Sequence, residues 1–165
     1  MNSEQPITIE FSIPNQLGYE KLARHTLAWL GPRLGLDAAR LADVQTAVSE
    51  ACINAIEHGN QSAVGRRVHV VFSYAPDHFD AVIADEGMNR YEASNSGPAT
   101  IEQKIAGLAP ARGMGLFLIS QLVDEAGFLP SSVEHGNRYW LRIYRTAQRS
   151  TISTRKAETL GIAYA

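Results

Sequence analysis

The order of strand-like and helix-like segments along this 165-residue chain predicts a two-layer α+β domain. The first observation is that two pairs of neighbouring strand segments are separated only by short turns, which makes each pair a hairpin. The second is the order of the elements, which is strand, two helices, two strands, a long loop, one helix and two strands. We therefore expect a mixed, mostly antiparallel sheet with its helices on one face.

The first strand and the first helix are predicted near the N-terminus. Apolar and polar residues alternate over 7–13, which is typical of a strand, and Pro14 ends it. Asn15 is the expected cap of a helix over 16–30, where leucines recur at helical spacing. Gly31-Pro32 is expected to break this helix, because proline lacks the N–H group that a helix interior needs.

A second helix and a hairpin follow. Asp37 is the expected N-cap of the helix, and Gly59 is its expected C-cap. Residues 68–74 and 79–84 are predicted strands joined by a turn at Pro76-Asp77. Apolar side chains recur at helical spacing along the helix and form one stripe that is expected to be buried: Leu41, Val44, Val48, Ala51 and Ala55.

The C-terminal part is predicted to contain a long loop, one helix and a second hairpin. Residues 85–112 are polar and contain glycine, and only 101–108 resemble a short helix. A loop of this length in a compact domain is usually functional or disordered. The other predicted elements are a helix over 116–123 that starts after Gly113 and closes near Gly127, and strands over 128–133 and 139–144 joined by a turn at 135–137. The expected single domain spans residues 1–146, and 147–165 are expected to form a mobile tail.

Composition limits the class of protein and its compartment. The formal net charge is −2 and the basic residues form no block, which disfavours a dedicated nucleic-acid binder. The single cysteine, Cys52, excludes an intrachain disulfide, fits a reducing compartment and is expected to be a buried, inert thiol. No run of about 18 apolar residues is present, and Met1–Pro6 lacks the apolar core of a signal peptide. We therefore expect a cytoplasmic protein that neither spans a membrane nor binds nucleic acid directly.

The second helix carries a polar strip on an otherwise apolar surface. Glu50, Asn54 and His58 stand four residues apart along one edge, with Glu57 beside them. A carboxylate and an amide on a largely buried helix need hydrogen-bonding partners. Those partners are either other side chains or a metal ion, a water molecule and a phosphate. Taken alone, Glu50-x-x-x-Asn54 is also compatible with a plain solvated helix edge.

Two further motifs follow along the chain. Asp85-Glu86-Gly87 comes directly after an apolar strand, where a carboxylate can accept a hydrogen bond from an exocyclic amine such as that of adenine. Gly87 would let the base approach the backbone, although the same sequence is also typical of a turn. The third motif, residues 112–116, begins a helix with two glycines, whose exposed N–H groups and helix dipole favour an anion. By itself it is also compatible with an ordinary helix start.

The three motifs occur in this order, with a long loop between the second and the third. Together they resemble the N, G1 and G2 boxes of the GHKL ATPase superfamily, which includes gyrase, histidine kinases and the MutL repair proteins. The resemblance covers roughly residues 7–145. Segments 48–59 and 113–119 resemble in particular the small, free-standing anti-sigma factor serine kinases of the RsbW and SpoIIAB type.

The resemblance implies a role for each motif. Glu50 would be the general base for a seryl hydroxyl of a partner, and Asn54 would bind Mg²⁺. Asp85 would bind adenine with Gly87 beside it, and residues 88–112 would form a lid over ATP. The residues that would contact the phosphates and complete the nucleotide site are Arg112, Gly113, Met114, Gly115 and Leu116.

Two positions of the family pattern allow more than one interpretation. His58 stands where the family often has histidine, and it would either line the nucleotide pocket or close the helix end. Much of the superfamily has a second glycine in the G1 box, where this chain has Asn89. Because asparagine tolerates a left-handed backbone better than most residues, the turn is expected to survive.

The resemblance implies an enzyme that transfers the γ-phosphoryl group of ATP to Ser or Thr on a STAS-type anti-anti-sigma partner. It also implies that the protein sequesters an RNA polymerase sigma factor and forms a homodimer. A second hypothesis is a non-catalytic ATP-binding switch module in a partner-switching pathway without a sigma factor. The presence of both Glu50 and Asn54 speaks against it, because binding alone does not need a base. A third is a switch protein whose partner is not a sigma factor, and the sequence does not separate these targets.

Overall fold

A computed structural model of the chain describes residues 7–88, 114–130 and 136–145. The described elements follow in the predicted order of strand, two helices, hairpin, helix and two strands. The strands are β1 (Ile7–Pro14), β2 (Arg67–Tyr74), β3 (His78–Ala84), β4 (Glu125–Leu129) and β5 (Arg138–Tyr144). The helices are α1 (Glu20–Leu34), α2 (Ala38–Asn54), which continues into a single π-helical turn (Ala55–Gly59), and α3 (Met114–Leu122).

The five strands form one sheet in the order β1-β2-β3-β5-β4, and every described pair is antiparallel. Helix α2 packs against α1, α3 and β3, so the helical layer covers one face of the sheet. The predicted two-layer α+β fold with an antiparallel sheet is confirmed. The order places the end of β3 beside the start of β5, because Ala84 pairs with Arg138.

The core lies between the sheet and α2. Alternate residues of each strand face the helices, as the two-residue period of a strand requires. The apolar stripe predicted on α2 is buried, apart from Leu41, which is half-buried. Side chains of the sheet that are less than 2% exposed and form this core include Val68, Val70, Phe72, Phe79, Ala81, Ile83, Leu141 and Ile143. Burial of each such large side chain stabilises the fold by about 1.5–3 kcal/mol.

Helix α1 differs from its prediction at both ends. It begins at Glu20 with no side-chain cap, and the Asn15 side chain instead donates a hydrogen bond to the Ala63 carbonyl at 2.9 Å. It also continues through Gly31-Pro32 to Leu34, and Gly35, which has a φ of 63°, is its left-handed C-cap. The expected break was wrong because α1 packs tightly on α2 at this point. A Cβ on Gly31 would lie 2.4 Å from a Leu41 methyl carbon.

Helix α2 begins where the sequence predicted and ends with a different geometry. The Asp37 Oδ1 atom accepts a hydrogen bond from the Arg40 N–H at 2.7 Å, which confirms the N-cap. Gly59 is the last residue of the π-helical turn rather than a left-handed cap, and the Asn60 N–H donates to the Ala55 carbonyl at 2.7 Å. The five-residue step of this bond shifts the residues after Ala55 relative to an α-helix.

The C-terminal hairpin begins earlier than predicted. Gly127 lies inside β4 instead of closing α3, and β4 starts at Glu125. The helix-to-strand junction is held by Arg40 of α2, which donates to the Leu122 carbonyl at 2.8 Å and pairs with Asp124 at 2.5 Å. The expectations for 101–108, for 131–135 and for the tail over 147–165 fall outside the described residues. No described helix is both long enough and apolar enough to cross a membrane.

Cys52 lies in the core and is fully inaccessible. Burial raises the pKa of its thiol to about 12, and the Glu20 carboxylate acts in the same direction. The thiol is therefore neutral at physiological pH and unreactive, since the thiolate is the nucleophile.

We expect the native protein to remain unlabelled by a thiol-reactive maleimide at pH 8, and to be labelled fully after unfolding in urea. Mass spectrometry measures the result without ambiguity, because Cys52 is the single cysteine of the chain. Fast stoichiometric labelling of the folded protein would contradict the buried position of this thiol.

Candidate functional site

The polar strip of α2 lies partly buried at the edge of the helical layer. Glu50 and Asn54 are half-buried, while Glu57 and His58 are exposed. The Asn54 Nδ2 atom is buried and has no hydrogen-bond partner among the described residues. Because a buried polar group without a partner is costly, such an atom indicates a place where a ligand or an ordered water binds.

The start of α3 meets this strip. A Cβ built on Gly115 would lie 3.0 Å from Asn54 Nδ2 and 3.1 Å from Glu50 Oε2. A larger residue would therefore press against both side chains. The first N–H groups of a helix have no partner within the helix and favour an anion. The structure thus brings the first and the third motif together, with a carboxylate, an amide and a helix N-terminus in contact.

Asp85 forms a second cluster at the end of β3, where the residue is only 3% exposed. Its Oδ1 atom accepts hydrogen bonds from the Gly87 and Asn137 N–H groups, both at 2.9 Å. Its Oδ2 atom accepts a third from the Asn137 side-chain amide at 2.9 Å. Backbone bonds in both directions, from Asp85 N to Asn137 O and from Gly136 N to Asp85 O, join this residue to the segment that leads into β5.

Three glycines make room for the Asp85 carboxylate. A Cβ on Gly59 would lie 2.0 Å from Asp85 Oδ2, and a Cβ on Gly136 would lie 1.9 Å from Oδ1. A Cβ on Gly87 would lie 1.9 Å from the Gly59 carbonyl oxygen. Side chains at these positions would collide with the carboxylate or with backbone. Gly59 thereby links the end of the α2 π-helical turn to the second motif.

The predicted site residues comprise two clusters and several residues that belong to neither. Glu50, Asn54 and Gly115 form one cluster, and Asp85 and Gly87 form the other. Neighbouring Met114 is 48% exposed, and Leu116 packs against the core. His58 is exposed, and no described contact joins its ring to either cluster. Arg112, Gly113, Asn89 and almost all of the expected lid over 88–112 lie outside the described residues.

Sequence reasoning missed Gly136, Asn137 and Asn60. Asn60 is fully buried although it follows the expected end of the helix. The Gly-Asn pair directly before a predicted strand is a visible signal, but by itself it predicts only a turn. Asn137 contacts Asp85 across 52 residues of the sequence, and Asn60 contacts Glu86 across 26. Spacing along the chain does not reveal such contacts.

The residues present fit a metal ion that takes few ligands from the protein and most of them from water and a bound substrate. Among the described residues no group of three or more His, Cys, Asp or Glu side chains converges. Mg²⁺ accepts an amide oxygen and usually keeps several waters and substrate phosphates as its other ligands. The Asn54 Oδ1 atom could bind such an ion, while the unpartnered Nδ2 atom and the helix N-terminus beside it are donors that suit its phosphate ligands.

Comparison with known proteins decides the family. The pattern of the family described as histidine kinase-like ATPase domain matches residues 13–143, which is most of the chain. The chain belongs to the histidine kinase-like ATPase family. Family membership implies the use of ATP and agrees with the α+β architecture and with the resemblance found in the three motifs.

Curated relatives of this histidine kinase-like ATPase are serine-protein kinases. The chain is 32% identical over 120 residues to the serine-protein kinase RsbW of Bacillus cereus strain Q1, covering 71% of this chain and 74% of the relative. The same values describe RsbW of Bacillus mycoides strain KBAB4. RsbW of Bacillus thuringiensis subsp. konkukian strain 97-27 is 32% identical over 121 residues, with the same coverage.

The Asp85 cluster tolerates no side chain on Gly87. We expect Gly87→Ala to lower the free energy of unfolding by more than about 2 kcal/mol, because its Cβ would overlap a backbone carbonyl. Gly127→Ala is the matched control, since a Cβ there meets nothing within 4 Å, and a change within about 0.5 kcal/mol is expected. Urea denaturation measures both variants, and equal stabilities would contradict the described packing.

Ionisation of Glu86 is expected to make the stability of the folded protein depend on pH. Partial burial opposes its ionisation, but hydrogen bonds from His69 and the Arg67 N–H outweigh this effect and hold the pKa of Glu86 below its ordinary value. A lowered pKa in the folded state stabilises the protein above the ordinary value of 4.5, and this contribution is lost as the pH falls through the folded value.

We therefore expect Glu86→Gln to reduce the loss of stability that the wild type shows between about pH 6 and about pH 3. Thermal unfolding at several pH values measures this difference. Parallel curves for the two proteins across the range would show that Glu86 does not titrate with a lowered pKa.

Proposed function

We propose that the protein is an ATP-dependent protein serine/threonine kinase that acts as an anti-sigma factor. It phosphorylates a STAS-domain anti-anti-sigma partner and sequesters an RNA polymerase sigma factor. The observation that carries the proposal is the contact of the Glu50 carboxylate and the Asn54 amide with the α3 N-terminus at Gly115. A site that only bound nucleotide would need the amide and the helix but not the carboxylate.

The two clusters have different tasks in the proposed reaction. The Asp85 carboxylate receives a hydrogen bond from the exocyclic amine of adenine, and Gly87 lets the base lie close to the backbone. The N-terminus of α3, with Gly113, Met114, Gly115 and Leu116, receives the phosphates together with Arg112. Asn54 would hold Mg²⁺, and the bound ion would supply neutralisation of phosphate charge. The segment over 88–112 serves as the lid, and residues 1–146 form the ATPase domain.

Glu50 acts as the base in the transfer step. Its carboxylate takes the proton from the seryl or threonyl hydroxyl of the partner. The hydroxyl oxygen forms a bond to the γ-phosphorus while the bond between that phosphorus and the oxygen of the leaving ADP breaks. The products are the phosphorylated partner, ADP and a proton that leaves Glu50 to solvent.

The proposed partners are supported by the relatives and by the resemblance of the motifs, not by a surface of this chain. The names of the curated relatives support a serine-protein kinase. The proposal of a STAS-domain partner, a sigma-factor target and a homodimer rests on the resemblance of segments 48–59 and 113–119 to anti-sigma factor serine kinases. A sigma-factor target would place the protein in the cytoplasm. The competing function is an ATP-binding switch without catalysis, and the experiment below separates the two.

The test measures transfer from ATP radiolabelled in the γ-phosphate to a purified STAS-domain partner. We expect Glu50→Gln to bind ATP with unchanged affinity and to transfer phosphate about 10²- to 10⁴-fold more slowly, because general-base catalysis is lost. Asn54→Ala is expected to lose the Mg²⁺-dependent part of ATP binding, which isothermal titration calorimetry measures with and without Mg²⁺.

Glu57→Gln is the matched control, because Glu57 is an exposed carboxylate on the same helical segment. It is expected to behave like the wild type. Tight ATP binding by the wild type without any transfer would favour the non-catalytic switch, and full transfer by Glu50→Gln would show that Glu50 is not the base.

A further inference from the structure

Asn60 is a buried polar residue that the proposed reaction does not use. In the described part of the chain, Asn60 and Asp85 are the two buried polar or charged residues, and Asn60 is 0% exposed. It follows Gly59, whose Cα lies against the Asp85 carboxylate. Burial of an amide costs free energy unless its hydrogen bonds are made. The hydrogen-bond partners of Asn60 therefore show which segments it holds in place.

The Asn60 amide belongs to a closed set of hydrogen bonds, which we name the Asn60 ring. Asn60 Nδ2 donates to the Arg67 carbonyl at 2.8 Å. The Arg67 N–H donates to Glu86 Oε2 at 2.9 Å, and the Glu86 N–H donates to Asn60 Oδ1 at 2.8 Å. Asn60 Nδ2 also donates to Asn15 Oδ1 at 3.0 Å. The ring joins the end of the π-helical turn, the start of β2 and the segment after β3.

The Asn60 ring holds the residue between Asp85 and Gly87. Asn60 fixes the Glu86 N–H from the buried side, and Arg67 fixes the Glu86 side chain from the exposed side. The Gly87 N–H in turn donates to Asp85 Oδ1. The backbone on the C-terminal side of Asp85 is therefore held at two successive peptide groups, and the direction of the carboxylate depends on both.

The direction of this carboxylate decides which base it accepts. An ionised carboxylate is an acceptor only, with about four lone-pair positions. Among the described residues Oδ1 receives two donors and Oδ2 receives one, which leaves Oδ2 room for one further donor. A purine with a 6-amino group offers that donor, whereas a purine with a 6-oxo group presents an acceptor and is repelled.

We propose that Asn60 is a positioning residue for recognition of a 6-aminopurine nucleotide, acting through Glu86 on Asp85. This inference rests on the proposed function, since it assigns the base-selective contact of the same site. Without the Asn60 amide the Asp85–Gly87 segment loses the bond at the Glu86 N–H, and the carboxylate loses its fixed direction. Selectivity for the 6-amino group then falls more than the affinity for the phosphates.

The test compares the affinities of ATP and inosine triphosphate, which differ at the 6-position, by calorimetry with Mg²⁺. The wild type is expected to prefer ATP, and Asn60→Ala is expected to reduce the ratio of the two affinities by about tenfold. The KM for ATP in the transfer assay rises by a similar factor, while kcat stays within about twofold because Glu50 is unchanged. Asn15→Ala is the matched control, since it removes one hydrogen bond of Asn60 and leaves the ring closed.

A merely structural role for Asn60 would weaken both nucleotides equally and keep the ratio, and that result would overturn the inference. If Asn60→Ala does not fold, Asn60→Ser takes its place, because the shorter side chain no longer reaches the Glu86 N–H, and a reduced ratio is again expected. An unchanged ratio in Asn60→Ser, with the protein folded, would overturn the inference as well. A wild type that does not bind ATP would instead overturn the proposed function, so the two failures are distinguishable.

Discussion

Burial of the Asp85 carboxylate is the constraint on which the site depends. A buried charge costs several kcal/mol unless hydrogen bonds replace its hydration. Here three donors do so, and two of them are backbone N–H groups from segments far apart in sequence. The carboxylate therefore holds the end of β3 against the segment that leads into β5. The same requirement explains the glycines at 59, 87 and 136, because a Cβ at any of them would intrude on this cluster.

Helix α2 connects this cluster to the second one. Its buried stripe fixes it between α1, α3 and the sheet, and its polar edge presents Glu50 and Asn54 to Gly115. The π-helical turn at its end then delivers Gly59 to Asp85. Short π-helical segments are common at functional sites, where they alter the direction of the residues that follow. One helix thus sets the distance between the catalytic carboxylate and the base-selective carboxylate of the proposed kinase.

The two clusters differ in whether their buried polar groups are hydrogen-bonded within the protein. Around Asp85 and Asn60, hydrogen bonds between elements are made within the protein, which suits parts that must keep one geometry. Asn54 instead keeps a buried donor without a described partner. An unsatisfied donor of this kind costs about 1–3 kcal/mol, which an acceptor such as a phosphate or water oxygen offsets. One cluster is thus fixed by its own hydrogen bonds, whereas the other keeps a donor available for a ligand.

The sequence by itself determined the element order, the two-layer fold, the Asp37 cap and the motif residues Glu50, Asn54, Asp85, Gly87 and Gly115. These features follow from local periodicity, from capping chemistry and from short motifs, all of which are written in neighbouring residues. The tertiary structure alone decided that α1 continues through Gly31-Pro32 and that α2 ends in a π-helical turn. It also decided that Gly136, Asn137 and Asn60 lie against Asp85 and Glu86. Each of these depends on packing or hydrogen bonds between distant segments, and such long-range contacts override local propensity without leaving a periodic signal in the chain.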